Sequence, residues 1–151
     1  VSLTLAPETW DSDDARVLRD AQQAEIRAVY GRDDTEPGVI PSAADIDLFL
    51  VARDLDGRAV ACGGLRRLDA HTGEVKRMYV VPDRRRTGAA ARVLAALEDS
   101  ARTLGWTHLR LETGDRLAGA IAFYTRAGYR PIPNFGAYVG ESISRCFERA
   151  L

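Results

Sequence analysis

The chain has 151 residues, of which 46% are apolar and 28% charged, and its 21 basic and 22 acidic side chains leave a net charge of -1. At this length one domain buries about 70% of the surface its unfolded chain exposes, so residues 1–151 are expected to form a single domain without disulfide or metal staples. The composition excludes a disordered chain, no apolar run approaches the roughly 20 residues of a membrane span, and a charge near zero argues against bulk nucleic-acid binding, which needs many Lys and Arg on phosphates.

In chain order, residues 2–6 alternate and read as a first strand. Asp11, Ser12, Asp13 and Asp14 suit a helix N-cap. The stripe Ala15, Leu18, Ala21, Ile26 and Val29 then carries a helix to Tyr30, with Gly31 placed to stop it. The acidic stretch 31–45, with Pro37, Gly38 and Pro41, reads as a loop with at most a short helical turn. Loops of that length are uncommon unless they are functional or disordered. Two strands follow, 48–53 and 59–68, with the hairpin signal Asp54-Leu55-Asp56-Gly57 between them. His71-Thr72-Gly73 turns the chain into a strand over 74–81, ended by Pro82. A helix over 88–104 gathers Ala90, Val93, Leu94, Leu97, Ala101 and Leu104 on one face and stops at Gly105. Residues 108–113 read as a strand, 118–127 as a helix ending at Gly128, and 142–147 as a weaker last strand. The order β-α-β-β-β-α-β-α-β predicts a mixed sheet of α/β (α+β) class. Its hairpins are antiparallel, and its middle β-α-β is a parallel pair with a right-handed crossover.

Cys62 and Cys146 stand alone, with no CxxC spacing. They read as buried free thiols of a reducing compartment. No basic segment precedes an apolar run at Val1, so a secretory leader is not expected and the location reads as cytoplasmic. His71 and His108 lack partners in sequence and read as structural, and no His, Cys or Asp cluster has metal spacing, so no metal is expected.

The most informative stretch is Val80-Val81-Pro82-Asp83-Arg84-Arg85-Arg86-Thr87-Gly88-Ala89-Ala90-Ala91. A strand ends, a basic loop follows, and a helix opens on small residues. Helix N-termini leave amide N–H groups unpaired and carry roughly half a positive charge. Gly88 and the alanines let an anion approach the backbone, and three arginines raise the local potential. The segment reads either as a phosphate or pyrophosphate cradle or as a solvated arginine cluster leading into an Ala-rich helix. It has neither the Walker spacing with its lysine nor the Gly-x-Gly-x-x-Gly triplet.

This stretch resembles the signature of the GNAT superfamily of N-acetyltransferases, Gln/Arg-x-x-Gly-x-Gly/Ala, matched by Arg85-Arg86-Thr87-Gly88-Ala89-Ala90. The preceding Glu74-Val75-Lys76-Arg77-Met78-Tyr79-Val80-Val81-Pro82 looks like the family's fourth strand. Ala120-Ile121-Ala122-Phe123-Tyr124-Thr125-Arg126-Ala127-Gly128-Tyr129 looks like its later Ala-x-x-Phe/Leu-Tyr-x-x-x-Gly-Phe/Tyr helix end. The element order fits over nearly the whole chain. The resemblance implies acetyl-CoA as donor, with coenzyme A as product. Its pantetheine arm would lie on Met78, Tyr79 and Val80, and its pyrophosphate on the amides from Arg86 through Thr87, Gly88, Ala89 and Ala90 to Ala91, with Arg85 as the signature residue. The fourth strand and the fifth, 108–113, would splay around the thioester. Leu117 departs from the pattern, since the family often has Asn there.

Acetyl transfer to an amine needs a neutral nucleophile, and a lysine-type amine with a pKa near ~10.4 arrives protonated. A base or a water chain must take that proton, a backbone N–H can stabilise the oxyanion of the tetrahedral intermediate, and the leaving thiolate needs a proton. Tyr124 matches the Tyr that donates to the thiolate in many members; its alternative is a buried aromatic with a satisfied hydroxyl. Glu74 lies eleven residues before Arg85, where a histone-type branch carries its catalytic Glu; its alternative is a solvated charge at the strand start. Glu112, near the end of the fifth strand, is the rival base, and a water chain without a single base is a third course.

Acceptor specificity in the family comes from the first helix, the loop after it and the C-terminal segment. Here these carry Tyr30, Asp33, Asp34, Glu36, Asp45, Asp47, Phe135 and Tyr138, with Pro131-Ile132-Pro133-Asn134-Phe135-Gly136 as a stiff aromatic loop. An acidic mouth favours a small cationic amine; otherwise these acids only solvate a loop. All but one of the basic residues are arginine, the exception being Lys76. Codon usage accounts for that bias, and avoidance of self-modification is the other reading. The chain is expected to be a monomer or homodimer with a small-molecule partner, no nucleic acid and no membrane. Two other readings stay open, a non-catalytic acetyl-CoA sensor and an acetyltransferase of protein lysines or N-termini.

Overall fold

The computed structural model describes residues 2–33 and 36–151. A seven-stranded sheet runs in the order β1-β2-β3-β4-β5-β7-β6. Its strands are β1 (Thr4–Pro7), β2 (Leu48–Arg53), β3 (Ala59–Arg67), β4 (Thr72–Val80), β5 (His108–Gly114), β6 (Arg130–Ile132) and β7 (Ser144–Ala150). Helix α1 (Asp13–Tyr30) joins β1 to β2, α2 (Ala89–Thr103) joins β4 to β5, and α3 (Ala118–Arg126) follows β5. All neighbouring strands are antiparallel except β4 and β5. That parallel pair is the one the β-α-β pattern predicts.

The alternation of β2 shows how the sheet is covered on both faces. Leu48, Leu50 and Ala52 join the cluster under α2 and α3, with Val93, Leu94, Leu97 and Tyr124. Phe49 and Val51 join the cluster under α1, with Trp10, Ala15 and Leu18. Successive strand side chains point to opposite faces, so an unbroken apolar run needs a helix on each side. Ser12 caps α1, its Oγ accepting from the Ala15 amide at 3.2 Å. Gly31 ends that helix in the left-handed conformation.

Two features position the site. The parallel pairing of β4 with β5 covers only Thr72, Gly73 and Glu74 against His108, Leu109 and Arg110. Beyond that point the strands diverge. In addition, β3 residues Cys62 and Gly64 pair with Tyr79 and Lys76, so Gly63 alone faces both Arg77 and Met78. This is a β-bulge, and Arg77 takes a φ of 58° there. A Cβ on Gly63 would lie 2.7 Å from Met78 Sδ and 3.0 Å from Val93 Cγ1, so any side chain there would force Met78 to shift.

The expected last strand, 142–147, is displaced: β7 runs to Ala150 because its pairing with β5 continues to His108. A further strand, β6, was not expected. Cys62 and Cys146 are both buried and unbridged. No helix among the described residues is long and apolar enough to cross a membrane.

Candidate active site

Where β4 and β5 part, a cleft of about 1170 Å³ opens between α1, α2 and α3. One wall is β4 from Val75 to Val80, the other is Glu112, Thr113 and Gly114 of β5 with the start of α3. Gly88, Ala89, Ala90 and Ala91 line one end.

That end is built from backbone. Pro82–Arg84 forms a single 3-10 turn, and Arg86 adopts a φ of 63°. Gly88 then takes a φ of 85° as the N-cap of α2 and offers no side-chain acceptor to the first turn. The first intrahelical bond is Arg92 N–H to Gly88 C=O, so the amides of Ala89, Ala90 and Ala91 precede the helical ladder. Nothing lies within 4 Å of the place a Gly88 Cβ would take. This is an open amide cradle at the positive end of a helix, of the size and sign that a phosphate needs.

The three arginines before it are not equivalent. Arg84 pairs with Asp54 and Asp83. Arg85 donates to the Val80 carbonyl at 3.0 Å and to Glu25 at 2.6 Å. Arg86 has no ion pair among the described residues and is exposed. The positive potential expected of three arginines therefore reduces to Arg86 and the amides, while Arg85 ties the cradle to β4 and α1.

Tyr124 of α3 also faces the cleft. It is buried, and burial alone raises its phenol pKa. Glu112 lines the same cleft and accepts from Ser144 Oγ at 2.7 Å. Burial pushes its carboxyl pKa above the ordinary range; Ser144 and the charge of Lys76 oppose that shift, while Glu36 and Glu74 add to it.

Glu74 sits elsewhere. It is 1% exposed, does not line the cleft, and has both oxygens engaged. Oε1 accepts from Arg66 at 3.0 Å, and Oε2 accepts from the Tyr138 hydroxyl at 2.6 Å. The geometry brings Tyr124 and Glu112 to one cavity and leaves Glu74 behind its wall.

The acceptor end also differs from expectation. Of the acids and aromatics named for it, Tyr30 and Glu36 line the cleft. Glu36 is neutralised by Lys76 at 2.7 Å and Arg77 at 2.6 Å, and although burial works against it these cations hold its carboxyl below the usual range. Asp47 accepts from the Arg67 amide, Asp45 binds Ser42, and Asp33 approaches Arg27. Asp34 lies outside the described residues. Phe135 packs edge-on against Tyr138, whose hydroxyl pKa is raised by burial and by Glu74. Among the described residues an acidic mouth is therefore not assembled. Tyr30 bridges the cleft instead: its hydroxyl donates to Asp115 at 3.0 Å and accepts from the Arg116 amide at 2.9 Å. Leu117 occupies the N-cap of α3 and supplies no side-chain bond. His71 and His108 lie away from the cleft.

Sequence reasoning missed Lys76, Arg77 and the bulge. The adjacent glycines Gly63-Gly64 inside a strand were the available signal, because interior glycine marks bulges and close approach.

Residues 10–129 match the model of the acetyltransferase (GNAT) family. An IAA acetyltransferase of Azospirillum brasilense is 39% identical over 104 residues, covering 68% of this chain and 67% of that protein. The fold superposes on a protein of Klebsiella pneumoniae described as a candidate acyl-CoA N-acyltransferase, with a TM-score of 0.85, 30% identity and coverage of 99% and 97% of the two chains. A GNAT acetyltransferase of Elizabethkingia anophelis, solved with acetyl-CoA bound, shares the fold at a TM-score of 0.70 and 16% identity over 99% and 98% of the chains.

Proposed function

Since the chain belongs to the GNAT family of acetyltransferases, we propose that it moves the acetyl group of acetyl-CoA to a small primary amine by direct attack within a ternary complex. The observation that carries this reading is the divergence of β4 from β5 at Glu74 and Arg110, which opens one continuous cleft from the amide cradle of α2 to Tyr124 and Glu112. The small residues of the cradle fit a pyrophosphate. Met78, Tyr79 and Val80 offer a strand edge without a β5 partner to the pantetheine arm, as the resemblance implies. The donor supplies an activated thioester, and the rest falls to side chains of this chain.

Glu112 is the general base. Its raised pKa makes it a stronger proton acceptor than an ordinary carboxylate, and it faces the same cavity as Tyr124. It takes one proton from the acceptor ammonium. The amine nitrogen then bonds to the acyl carbon as the carbon–sulfur bond breaks. The Tyr124 hydroxyl, kept protonated by its burial, gives a proton to the departing sulfur, and the second proton that the acceptor nitrogen sheds as the amide forms restores the phenol. Glu74 becomes a positioning residue, holding Arg66 and Tyr138 behind the wall. A compact acceptor is supported by the close approach of Gly38 to Ala137 beside the Glu36 segment. The amine arrives as a cation, and Glu112 supplies the anionic wall for it. Two buried free thiols fit a cytoplasmic location.

The test is a calorimetric titration with acetyl-CoA, followed by thiol release on a panel of small amines and peptides. Binding near micromolar, about −8 kcal/mol, with release on small amines supports the reading. Binding without release on any amine would favour a sensor. Release on peptides alone would move the acceptor to protein, and absence of binding by folded protein would overturn the proposal.

A further inference from the structure

Lys76 and Arg77 are consecutive residues of β4, yet their side chains meet at one carboxylate. Lys76 Nζ donates to Glu36 Oε1 at 2.7 Å and Arg77 Nη1 donates to Glu36 Oε2 at 2.6 Å. Neighbours on a regular strand point to opposite faces. The bulge and the φ of 58° at Arg77 are what turn both cations to the same side, and a non-glycine residue in that region stores strain. The side chains are only 7% and 8% exposed, and both residues line the cleft that holds Glu112.

The carboxylate that satisfies them does not come from the sheet. Glu36 belongs to the segment between α1 and β2. On the sheet side, Glu74 approaches Lys76 at 3.7 Å but is shared with Arg66, and Tyr138 meets Lys76 through a hydroxyl at 3.0 Å. Without Glu36 the Lys76–Arg77 fork would carry an uncompensated buried charge, which is strongly destabilising.

We propose that this fork is a carboxylate subsite for the acceptor, and that Glu36 is the internal carboxylate that exchanges with it. The inference rests on the acetyl-transfer reading and names its acceptor class: a small amino acid or other aminocarboxylate. Its carboxylate binds Lys76 and Arg77 while its ammonium meets Glu112. An incoming carboxylate replaces Glu36 charge for charge, with the same two-oxygen geometry. A neutral ester or simple amine that displaced Glu36 would strand both cations. The cleft thereby selects for the anionic end of the acceptor as well as for its amine.

The experiment measures N-acetyl amino acids, as products, against their amides and methyl esters, by calorimetry on the protein saturated with coenzyme A. Wild type is compared with Glu36→Gln. The acids are expected to bind Glu36→Gln about tenfold more tightly than wild type, because the competing carboxylate is gone. The amides and esters are expected to gain nothing. On wild type, turnover of free amino acids should exceed that of their methyl esters and decarboxylated amines by about tenfold in kcat/KM. Acids and amides that bind alike, or esters and simple amines that are the better acceptors, would overturn the subsite while leaving acetyl transfer intact. Failure of coenzyme A to bind in the first titration would instead count against the function itself. If Glu36→Gln does not fold, the comparison of acids with amides on wild type decides alone.

Discussion

Replacing Glu112 by Gln removes the one carboxylate, among the described residues, that both lines the cleft with Tyr124 and has a raised pKa. A general base contributes about 10²–10⁴-fold, so Glu112→Gln is expected to lower kcat by that factor, about 3–5 kcal/mol of activation free energy. Wild-type kcat/KM should rise with pH along a limb above the ordinary carboxylate value of ~4.3, set by burial and by the charges of Lys76, Glu36 and Glu74. That limb should vanish in the variant. Stability should move the other way. A carboxyl whose folded pKa is raised contributes stability present below its unfolded pKa and lost as pH rises through the folded value, so at neutral pH Glu112→Gln should melt no lower than wild type. Glu74→Gln reverses the pattern. It leaves Arg66 without its carboxylate at a site where Glu74 is 1% exposed and Arg66 21%. Because Arg66 keeps some water, the cost is about 2–4 kcal/mol, below that of a fully buried pair, and Tm should fall by about 5–15 °C. The folded fraction should keep its pH limb. The assay is coupled thiol release from pH 5 to 9, with thermal melts of each variant. A folded Glu74→Gln that loses kcat about a hundredfold together with the limb, beside a Glu112→Gln that keeps both, would refute the reasoning.

Tyr124→Phe should lower kcat about 10²-fold with little change in acetyl-CoA affinity by calorimetry, as expected of the proposed proton donor to the departing sulfur. Gly63→Ala would push a Cβ to 2.7 Å from Met78 Sδ and 3.0 Å from Leu97 Cδ1. It should cost about 1–3 kcal/mol in a denaturant melt and weaken acetyl-CoA binding by shifting the bulge. Arg85→Ala removes the tie to Val80 and Glu25, so it should weaken binding about tenfold or less. Reversing Arg86 to Glu should weaken binding more, and steeply with falling ionic strength, since Arg86 has no ion pair of its own among the described residues.

Where local chemistry decides, the sequence was legible. The helix from the Ser12 cap to Gly31, the Asp54–Gly57 hairpin and the glycine-opened α2 all follow from capping and turn preferences acting within a few residues. The amide cradle was legible for the same reason. Strand β6 was not: it has only three residues, and they include Pro131, which lacks a ladder donor. Which of Glu74 and Glu112 lines the cleft was not legible either. Spacing places both on neighbouring strands, but only the point of divergence decides which faces the cleft, and that point is set by tertiary packing. The acids of the first loop looked like an anionic mouth because their partners Arg27, Arg67, Lys76 and Arg77 could not be assigned from one dimension.

The point of divergence also explains why a buried ionic network sits where it does. Two parallel strands that separate leave a wedge with polar backbone on both sides. Filling it with apolar side chains would strand those groups and close the cleft; leaving it to water would loosen the wall. Arg66 of β3, Glu74 and Lys76 of β4 and Tyr138 of the C-terminal segment meet there, each hydrogen-bonded to at least one of the others. Such a network adds little net stability against an apolar alternative, so its value lies in geometry. It braces β4 just past Glu74, where the ladder to β5 has ended, and holds Lys76 and Arg77 at one end of the cleft while α2 fixes the other. The sole lysine of the chain is thereby held on three sides, by Glu36, Tyr138 and Glu74.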